Sequence, residues 1–283
     1  MRTIENLELH VVHSCNLTCE SCSHYSNQGH KGMLTLEDAD RWMKPWRGRI
    51  KPQTISLLGG EPTIHPELSE FIPLVRQHWP DACIRLVTNG LLLHRHPRLP
   101  AMLQRFPSLL EISVHHPSPE YRERFKSVRK LVDGWVNRYA IQVVFWESYR
   151  HWTRRYRGFG SDMEPFEDNR PEQSWQICPA KNCKQLYQGT LWKCAPLAYL
   201  PLQAAKYRLS EKWDPYLAYQ PLRPDCTDGE LDEFLGRESE SYCSMCSAYP
   251  RRFDLPLPFA SRVGLEVATE EQGREGSRRR PLP

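Results

Sequence analysis

Three cysteines close to the start of the chain limit what this region can be. Cys15, Cys19 and Cys22 share one loop with the spacing C-x3-C-x2-C. Three thiolates on one loop can bind three irons of a [4Fe–4S] cluster, whereas clusters that only transfer electrons are closed by four cysteines. The pattern therefore predicts a cluster with one iron open to a further ligand, and a zinc site is the alternative.

A glycine-rich turn supports this interpretation. The apolar run of residues 54–58 predicts a short strand, and Gly59-Gly60-Glu61-Pro62 follows it directly. In this order the two patterns resemble the radical S-adenosylmethionine (SAM) superfamily, in which SAM binds the open iron and a GGEP motif holds its amino group. The resemblance, together with position in the sequence, assigns SAM binding to seven residues: Gly59, Gly60, Glu61, Pro62, Thr88, Asn89 and Ser113.

The resemblance also implies an activity. SAM is cleaved reductively to a 5′-deoxyadenosyl radical, which removes hydrogen from a nearby substrate carbon, and an external one-electron reductant of the flavodoxin or ferredoxin type is required. One position departs from the family pattern, because Ser21 stands where an aromatic residue usually packs near adenine. We expect His24 or Tyr25 to replace that contact, or adenine to sit differently.

Composition is that of a cytoplasmic enzyme with a substantial core. The chain has 283 residues, 40% of them hydrophobic, and a net charge of +4 that gives no general reason to expect nucleic acid. The sequence begins without a signal-peptide pattern and contains no run long enough to span a membrane, so no membrane partner is expected. Ten cysteines in such a chain favour metal binding over disulfides.

Strand and helix signals alternate through the first half of the chain. Helices are predicted to begin at the capping box Thr35-Leu-Glu-Asp38, at Pro66 with a kink at Pro73, and at Ser118-Pro119. Alternating units imply a parallel α/β sheet, and the resemblance implies a partial, open TIM barrel of about five to six β/α units. The predicted strands are residues 7–12, 54–58, 84–87, 109–114 and 141–146.

The strand pattern stops near residue 147. We expect a barrel core over residues 1–150, a linker over 151–175, a small cysteine-rich domain over 176–250 and a disordered tail over 261–283. The run from Trp146 to Arg157 mixes arginines with aromatic residues. It would bind an anionic or ring-bearing substrate, or form a charged surface linker.

Six cysteines follow in the second half, and a predicted hairpin selects among them. Gln188-Gly189 is a two-residue turn signal, and counting outward from it places Cys183 opposite Cys194. A C-x2-C pair further on suits an iron–sulfur cluster or zinc. The predicted ligands of one auxiliary [4Fe–4S] cluster are Cys183, Cys194, Cys243 and Cys246.

This region also resembles the SPASM and twitch extensions of radical SAM enzymes, which carry auxiliary clusters. Their cysteine–glycine–cysteine spacing fits Cys178, Gly189 and Cys194, whereas Cys183 lies too close to the glycine. Cys178 is therefore the alternative ligand, and a zinc site remains the alternative for the whole group. The full SPASM pattern is absent, so one auxiliary cluster is expected. Cys83 is expected to be a small buried residue.

His115 and Glu147 are the predicted catalytic residues, because each follows a strand. Histidine suits acid–base chemistry near neutral pH, and Glu147 would take a proton from a substrate hydroxyl or amine. A structural histidine and an exposed carboxylate are the alternatives.

Three functions follow from these patterns. A five-strand core with one twitch-like cluster resembles the radical SAM aminocyclitol dehydrogenases, which implies an oxidoreductase acting on a sugar, aminocyclitol or nucleoside. Its auxiliary cluster would accept an electron from the substrate. One alternative is an enzyme that modifies a ribosomally made peptide. The early position of the first strand argues against it, because such enzymes often carry a peptide-binding domain before the barrel. The other alternative is a non-catalytic iron–sulfur or zinc protein.

Overall fold

A computed structural model describes residues 1–249 and 257–259 of the chain, so the tail predicted over residues 261–283 lies outside the described residues. A single sheet of seven strands forms its centre. The strands are β1 (Arg2–His10), β2 (Ile50–Leu58), β3 (Cys83–Thr88), β4 (Ser108–Ser113), β5 (Gln142–Trp146), β6 (Cys183–Tyr187) and β7 (Thr190–Trp192).

The strand order is β5-β4-β3-β2-β1-β6-β7. Strands β1 to β6 are parallel where they pair, and β7 pairs antiparallel with β6. Because β5 and β7 do not pair with each other, the sheet is open. The predicted α/β class with an open, partial barrel is confirmed.

Helices connect the strands and fill the second half of the chain. One helix follows each of the strands β1 to β4, and four more lie after β5. The helices are α1 (Leu36–Met43), α2 (Phe71–His78), α3 (Leu99–Arg105), α4 (Pro119–Tyr139), α5 (Pro171–Gln176), α6 (Ala195–Lys206), α7 (Asp214–Leu217) and α8 (Asp228–Gly236).

Several local signals in the sequence act as predicted. The Thr35 hydroxyl accepts a hydrogen bond from the backbone N–H of Asp38 at 3.0 Å, and Ser118 caps α4 in the same way. Gln188 and Gly189 both have positive φ (51° and 78°), as a two-residue hairpin between β6 and β7 requires. These caps and turns are set by neighbours in sequence.

Two predictions about single residues are wrong. The helix predicted to begin at Pro66 begins at Phe71 instead, so Pro73 lies in its first turn, where a missing N–H breaks no intrahelical hydrogen bond. Cys83 is exposed rather than buried. It is the first residue of β3 and its side chain shares the face of Arg85, which is not the face covered by helices.

The two faces of the sheet differ in polarity. The apolar face packs against α1 to α4 in the main hydrophobic core, through Leu7, Leu9, Ile55, Leu57, Ile84, Leu86, Leu110 and Ile112. The opposite face, called the polar face here, carries Asn6, Glu8, Ser56, Arg85, Glu111 and Gln185, as strand alternation and the pairing register require. Polar side chains therefore line the inside of the partial barrel.

A second hydrophobic cluster fills the region beyond the sheet. It joins α6 to the segments on either side, and Trp213 at its centre donates a hydrogen bond to the carbonyl of Met163 at 2.8 Å. Among the described residues, none of the helices combines the length and the apolar character needed to cross a bilayer.

Candidate active site at the carboxyl ends of the strands

The cysteine loop follows β1 and faces a cavity of about 310 Å³, called the loop cavity here. The structure brings the three cysteines of the loop and six of the seven predicted SAM-binding residues to this one place. The predicted residues that line the loop cavity are Cys15, Cys19, Cys22, Gly59, Gly60, Glu61, Thr88, Asn89, Ser113 and His115. Pro62 does not line it and instead begins the short helical turn Pro62–Ile64.

The glycine pair packs against the chain that leads into the cysteine loop. Gly60 donates its N–H to the carbonyl of Val12 at 2.7 Å, and a Cβ on Gly60 would stand 2.2 Å from the carbonyl oxygen of Ser14. A Cβ on Gly59 would meet the Val12 oxygen at 2.5 Å. The resemblance assigns both glycines to SAM binding, and the structure adds a contact between the two loops that also excludes a side chain.

Glu61 fastens the glycine turn to the end of β3. Its buried carboxylate accepts hydrogen bonds from the backbone N–H groups of Thr63 (3.0 Å) and Asn89 (2.7 Å), and from the hydroxyls of Thr63 and Thr88. Burial raises the pKa of Glu61, and these hydrogen bonds oppose the rise. The Asn89 side chain in turn donates to Asn16 in the cysteine loop at 2.7 Å, so the three segments form one unit.

The thiols of the cysteine loop fit a cluster by their chemistry. Burial raises the pKa of the Cys15 and Cys19 thiols. Burial also opposes ionisation of Cys22, but the neighbouring His24 imidazole outweighs it and lowers the Cys22 pKa. His115 places Nδ1 3.6 Å from the Cys19 sulfur. Burial lowers the pKa of His115 to about 4, so its imidazole is neutral near pH 7.

The serine before the third cysteine has a structural reason. Ser21 has φ of 55°, and its hydroxyl accepts hydrogen bonds from the backbone N–H groups of Arg155 (2.6 Å) and Tyr156 (3.1 Å). Of the two expected replacements, His24 lines the loop cavity. Tyr25 instead lies in the second hydrophobic cluster, stacked on Tyr156 at 5.2 Å.

A second cavity of about 430 Å³, the barrel cavity, adjoins the first. Glu8, Arg85 and Glu111 enter it from the polar face of the sheet, and Cys183 enters from β6. The segment after β5 supplies another wall, formed by Trp146, Ser148, His151, Trp152, Thr153 and Arg155. Much of the arginine–aromatic run therefore faces a cavity.

Glu147 lies outside both cavity walls. It pairs with Arg150 at 2.6 Å and accepts a hydrogen bond from the Tyr149 hydroxyl at 2.8 Å, with its side chain 44% exposed. The sequence reasoning missed Glu8, Arg85 and Glu111. Each is a charged residue between two apolar residues of a strand, in Leu-Glu-Leu, Ile-Arg-Leu and Leu-Glu-Ile, and this shared pattern could have identified them.

Four cysteines of the second half lie together and form what we call the second thiol group: Cys178, Cys194, Cys243 and Cys246. Burial raises the pKa of Cys194, and the other three thiols of the group raise it further. Burial likewise raises the pKa of Cys246 to about 11, while the positive charge of the Arg155 guanidinium acts in the opposite direction. Four half-buried cysteines beside a guanidinium fit the ligand set of a closed cluster.

Cys183 is not brought to this group. Its sulfur accepts a hydrogen bond from the Asn6 side chain at 3.3 Å and faces the barrel cavity. The hairpin ladder ends at Gln185 and Trp192, and Cys194 turns away as the cap of α6, so counting beyond the ladder does not place Cys183 beside it.

Elsewhere, the Cys226 sulfur accepts a hydrogen bond from Arg49 at 3.3 Å, and Cys226 packs against the main core.

Within residues 1–249 and 257–259, no three His, Cys, Asp or Glu side chains are arranged to hold a metal ion. That arrangement would hold a single ion. A [4Fe–4S] cluster differs, because each of its thiolates binds a different iron.

Comparison with known sequences identifies the domain. Residues 9–138 match the family described as the Radical SAM superfamily. The matched region is therefore a radical SAM domain, and the family it matches implies a [4Fe–4S] cluster and SAM as cofactors.

Curated relatives match the same part of the chain. It is similar to the GTP 3′,8-cyclase of Aquifex aeolicus (strain VF5), with 28% identity over 48% of this chain and 41% of that protein. It is also similar to a probable GTP 3′,8-cyclase of Saccharolobus solfataricus, with 30% identity over 45% of this chain and 39% of that protein. The chain thus spans about two fifths of the length of these relatives.

Similar solved structures include the crystal structure of BtrN in complex with AdoMet and 2-DOIA. The two chains are 16% identical, and the match covers 89% of this chain and 97% of that chain with a TM-score of 0.49. Streptococcus suis SuiB bound to S-adenosylmethionine is 15% identical, covers 52% of this chain and 36% of that chain, and has a TM-score of 0.41.

Proposed function

We propose that this protein is a radical SAM oxidoreductase that removes hydrogen from a small polar metabolite. The observation that carries the proposal is the arrangement of the two cavities. The loop cavity adjoins the three-cysteine loop, and the barrel cavity, which shares part of its wall, is lined by Arg155 beside the second thiol group. A substrate in the barrel cavity would lie between a hydrogen-abstracting site and an electron acceptor.

The residues of the loop cavity hold the cofactors in this proposal. Cys15, Cys19 and Cys22 would bind three irons of a [4Fe–4S] cluster, and SAM would occupy the loop cavity beside the glycine turn. When bound, these groups supply a 5′-deoxyadenosyl radical after one-electron reduction by an external flavodoxin- or ferredoxin-type protein. The protein's part is positioning, because hydrogen transfer depends on how closely the substrate carbon is held.

The second thiol group would bind an auxiliary [4Fe–4S] cluster in a twitch-like arrangement. The ligands we propose are Cys178, Cys194, Cys243 and Cys246, so Cys178 replaces Cys183 in the set predicted from the hairpin. Arg155 supports this assignment, since its guanidinium interacts electrostatically with three of these thiols. A positive charge beside a cluster favours electron acceptance.

The shape and lining of the barrel cavity support a small polar substrate. Serine and threonine hydroxyls, two carboxylates and two guanidinium groups face a volume of about 430 Å³, which suits one sugar- or nucleoside-sized molecule. Trp146 and His151 stack with ring centroids 4.7 Å apart in the same wall. A cytoplasmic location fits this chemistry and is part of the proposal.

Iron content after anaerobic reconstitution tests both metal assignments. We expect about eight irons per wild-type chain, about four in the Cys15/Cys19/Cys22→Ala variant and about four in Cys178→Ala/Cys194→Ala. Cys183→Ala is the matched control, because its thiol faces the barrel cavity, and it should keep the wild-type content. The single variant Cys178→Ala completes the comparison. If Cys183→Ala loses iron while Cys178→Ala keeps the wild-type iron content, the proposed ligand set is wrong.

Formation of 5′-deoxyadenosine tests the activity. Reduced, cluster-loaded protein should convert SAM to methionine and 5′-deoxyadenosine, and the Cys15/Cys19/Cys22→Ala variant should not. If the loaded wild-type protein forms no 5′-deoxyadenosine with sugar, aminocyclitol or nucleoside candidates present, the proposed activity is wrong.

A further inference from the structure

Glu111 lies where the two cavities meet. It projects from the polar face of β4 and lines both the loop cavity and the barrel cavity. The other residues common to both walls are Ser23, Trp146, Ser148 and Trp152. In the part of the chain that the structure describes, Glu111 is thus the one charged side chain that borders both volumes.

The Glu111 carboxylate keeps its acceptor capacity for another molecule. The nearest cation is Arg85, whose Nη1 lies 3.6 Å from Oε2, and no described residue donates a hydrogen bond to Glu111. The other carboxylates in the cavity walls are Glu8 and Glu61, and both accept hydrogen bonds from protein groups. Glu111 is therefore the carboxylate most able to accept a hydrogen bond from a substrate.

The guanidinium groups of the barrel cavity are already engaged. Arg85 donates Nε to the Ser56 hydroxyl at 2.9 Å and faces Glu111, while Arg155 lies close enough to the Cys246 thiol to interact with it electrostatically. An anionic substrate would have to compete for both cations. The cavity instead offers an unused acceptor, so it favours a substrate that carries hydrogen-bond donors at its reacting end.

We propose that Glu111 is a catalytic residue. Its carboxylate accepts a hydrogen bond, and then the proton, from the hydroxyl or amino group on the substrate carbon that is oxidised. This inference rests on the proposed function. One hydrogen atom leaves that carbon for the 5′-deoxyadenosyl radical, and the O–H or N–H proton passes to the Glu111 carboxylate. The remaining electron goes to a one-electron acceptor, the iron–sulfur group proposed at the second thiol group, and the product is a ketone or an imine. Glu147, to which the sequence assigns this proton transfer, lines neither cavity.

Binding to the unreduced holoenzyme tests the assignment without turnover. Glucosamine, streptamine and myo-inositol are titrated calorimetrically into cluster-loaded, SAM-bound protein, with GTP as the anionic comparison. We expect at least one of the three donor-rich probes to bind the wild type and to lose at least tenfold in affinity, about 1.4 kcal/mol, in Glu111→Gln. Glu147→Gln is the matched control and should stay within twofold of the wild type.

A second variant separates charge from folding. Glu111→Asp keeps the carboxylate on a shorter stem and should bind with affinity between the wild type and Glu111→Gln. Iron content and circular dichroism equal to the wild type establish that each variant is folded. If Glu111→Gln misfolds, the comparison of Glu111→Asp with Glu147→Gln decides the question.

Equal affinity in wild type and Glu111→Gln would overturn the assignment, and so would binding of GTP with no binding of the three donor-rich probes. Absence of binding by all four probes would overturn the proposed substrate class. These results are distinct from a failure of the proposed function, which would appear as wild-type protein that forms no 5′-deoxyadenosine on reduction, whatever the binding results are.

Discussion

At the scale of single residues, Gly60 shows why the glycine turn and the cysteine loop depend on each other. The carbonyl oxygen of Ser14 occupies the space that a Cβ at position 60 would need, 2.2 Å away. A backbone atom cannot move aside as the tip of a flexible side chain can. Any residue larger than glycine must therefore displace the chain between Val12 and Cys15.

We expect Gly60→Ala to lose the iron that the cysteine loop binds. The displaced loop would no longer present its three thiols to one cluster, so iron should fall by about the amount lost in the Cys15/Cys19/Cys22→Ala variant, about four atoms. Anaerobic reconstitution followed by iron analysis measures this. Gly134→Ala is the control, because nothing lies within 4 Å of a Cβ there in helix α4. Wild-type iron content in Gly60→Ala would show that the loop tolerates the shift.

Residue identity alone revealed the cysteine loop and the GGEP turn, because their chemistry depends on spacing along the chain. It did not reveal Glu111, since a charged residue in an apolar strand has no meaning until neighbouring strands show which face it shares. Glu147 shows what a position along the chain leaves out. Its position directly after β5 matched the expected edge of the sheet, but the turn that follows pairs it with Arg150.

At the scale of elements, α4 depends on a cap that can be tested by itself. This helix, Pro119–Tyr139, begins at Ser118, whose hydroxyl accepts the N–H of Tyr121 at 3.2 Å. Its buried side chains share the main core with Ile112 of β4, and its Phe125 packs edge-on against Phe145 of β5 with ring centroids 6.1 Å apart. A fault at its first turn is therefore transmitted to the strands that carry Glu111 and Trp146.

Ser118→Ala should lower the free energy of unfolding by about 1 kcal/mol, the usual cost of losing a side-chain cap. The midpoint of urea unfolding measures this, with an unchanged slope as the sign that only stability has changed. Ser127→Ala, in the exposed middle of the same helix, removes a hydroxyl that bonds only to the carbonyl of Arg124. It should have a smaller effect, and equal losses in the two variants would contradict the capping role.

Elements with strong local signals were predictable, and those defined by distant partners were not. The strands of the first half, the caps of α1 and α4 and the β6–β7 hairpin follow from periodicity and from turn residues. The parallel pairing of β6 with β1 joins Asn6 to Cys183, residues far apart in sequence. No local pattern could show that the hairpin adds to the main sheet, and this pairing is what carries Cys183 into the barrel cavity.

At the scale of the whole molecule, β6 joins the second half of the chain to the first. Its Leu186 is fully buried in the main hydrophobic core, together with residues of β1 and β2. On the polar face, Gln185 donates to Glu8 of β1 and accepts from the hydroxyl of Tyr199 in α6 at 3.0 Å. One strand therefore bonds to the barrel core and to the segment that presents Cys194.

This connection predicts that the barrel and the cysteine-rich region unfold together, although the sequence suggests two domains. Leu186→Ala should cost about 2–5 kcal/mol, because it leaves a cavity in a closely packed core. Amide hydrogen exchange should then show faster opening in β1 as well as in β6 and α6.

A matched control is Leu197→Ala in α6, which lies in the second hydrophobic cluster. It should accelerate exchange in α6 more than in β1. If Leu186→Ala accelerates exchange only beyond residue 176 and leaves β1 protected, the two halves are separate folding units and the sheet pairing is too weak to couple them.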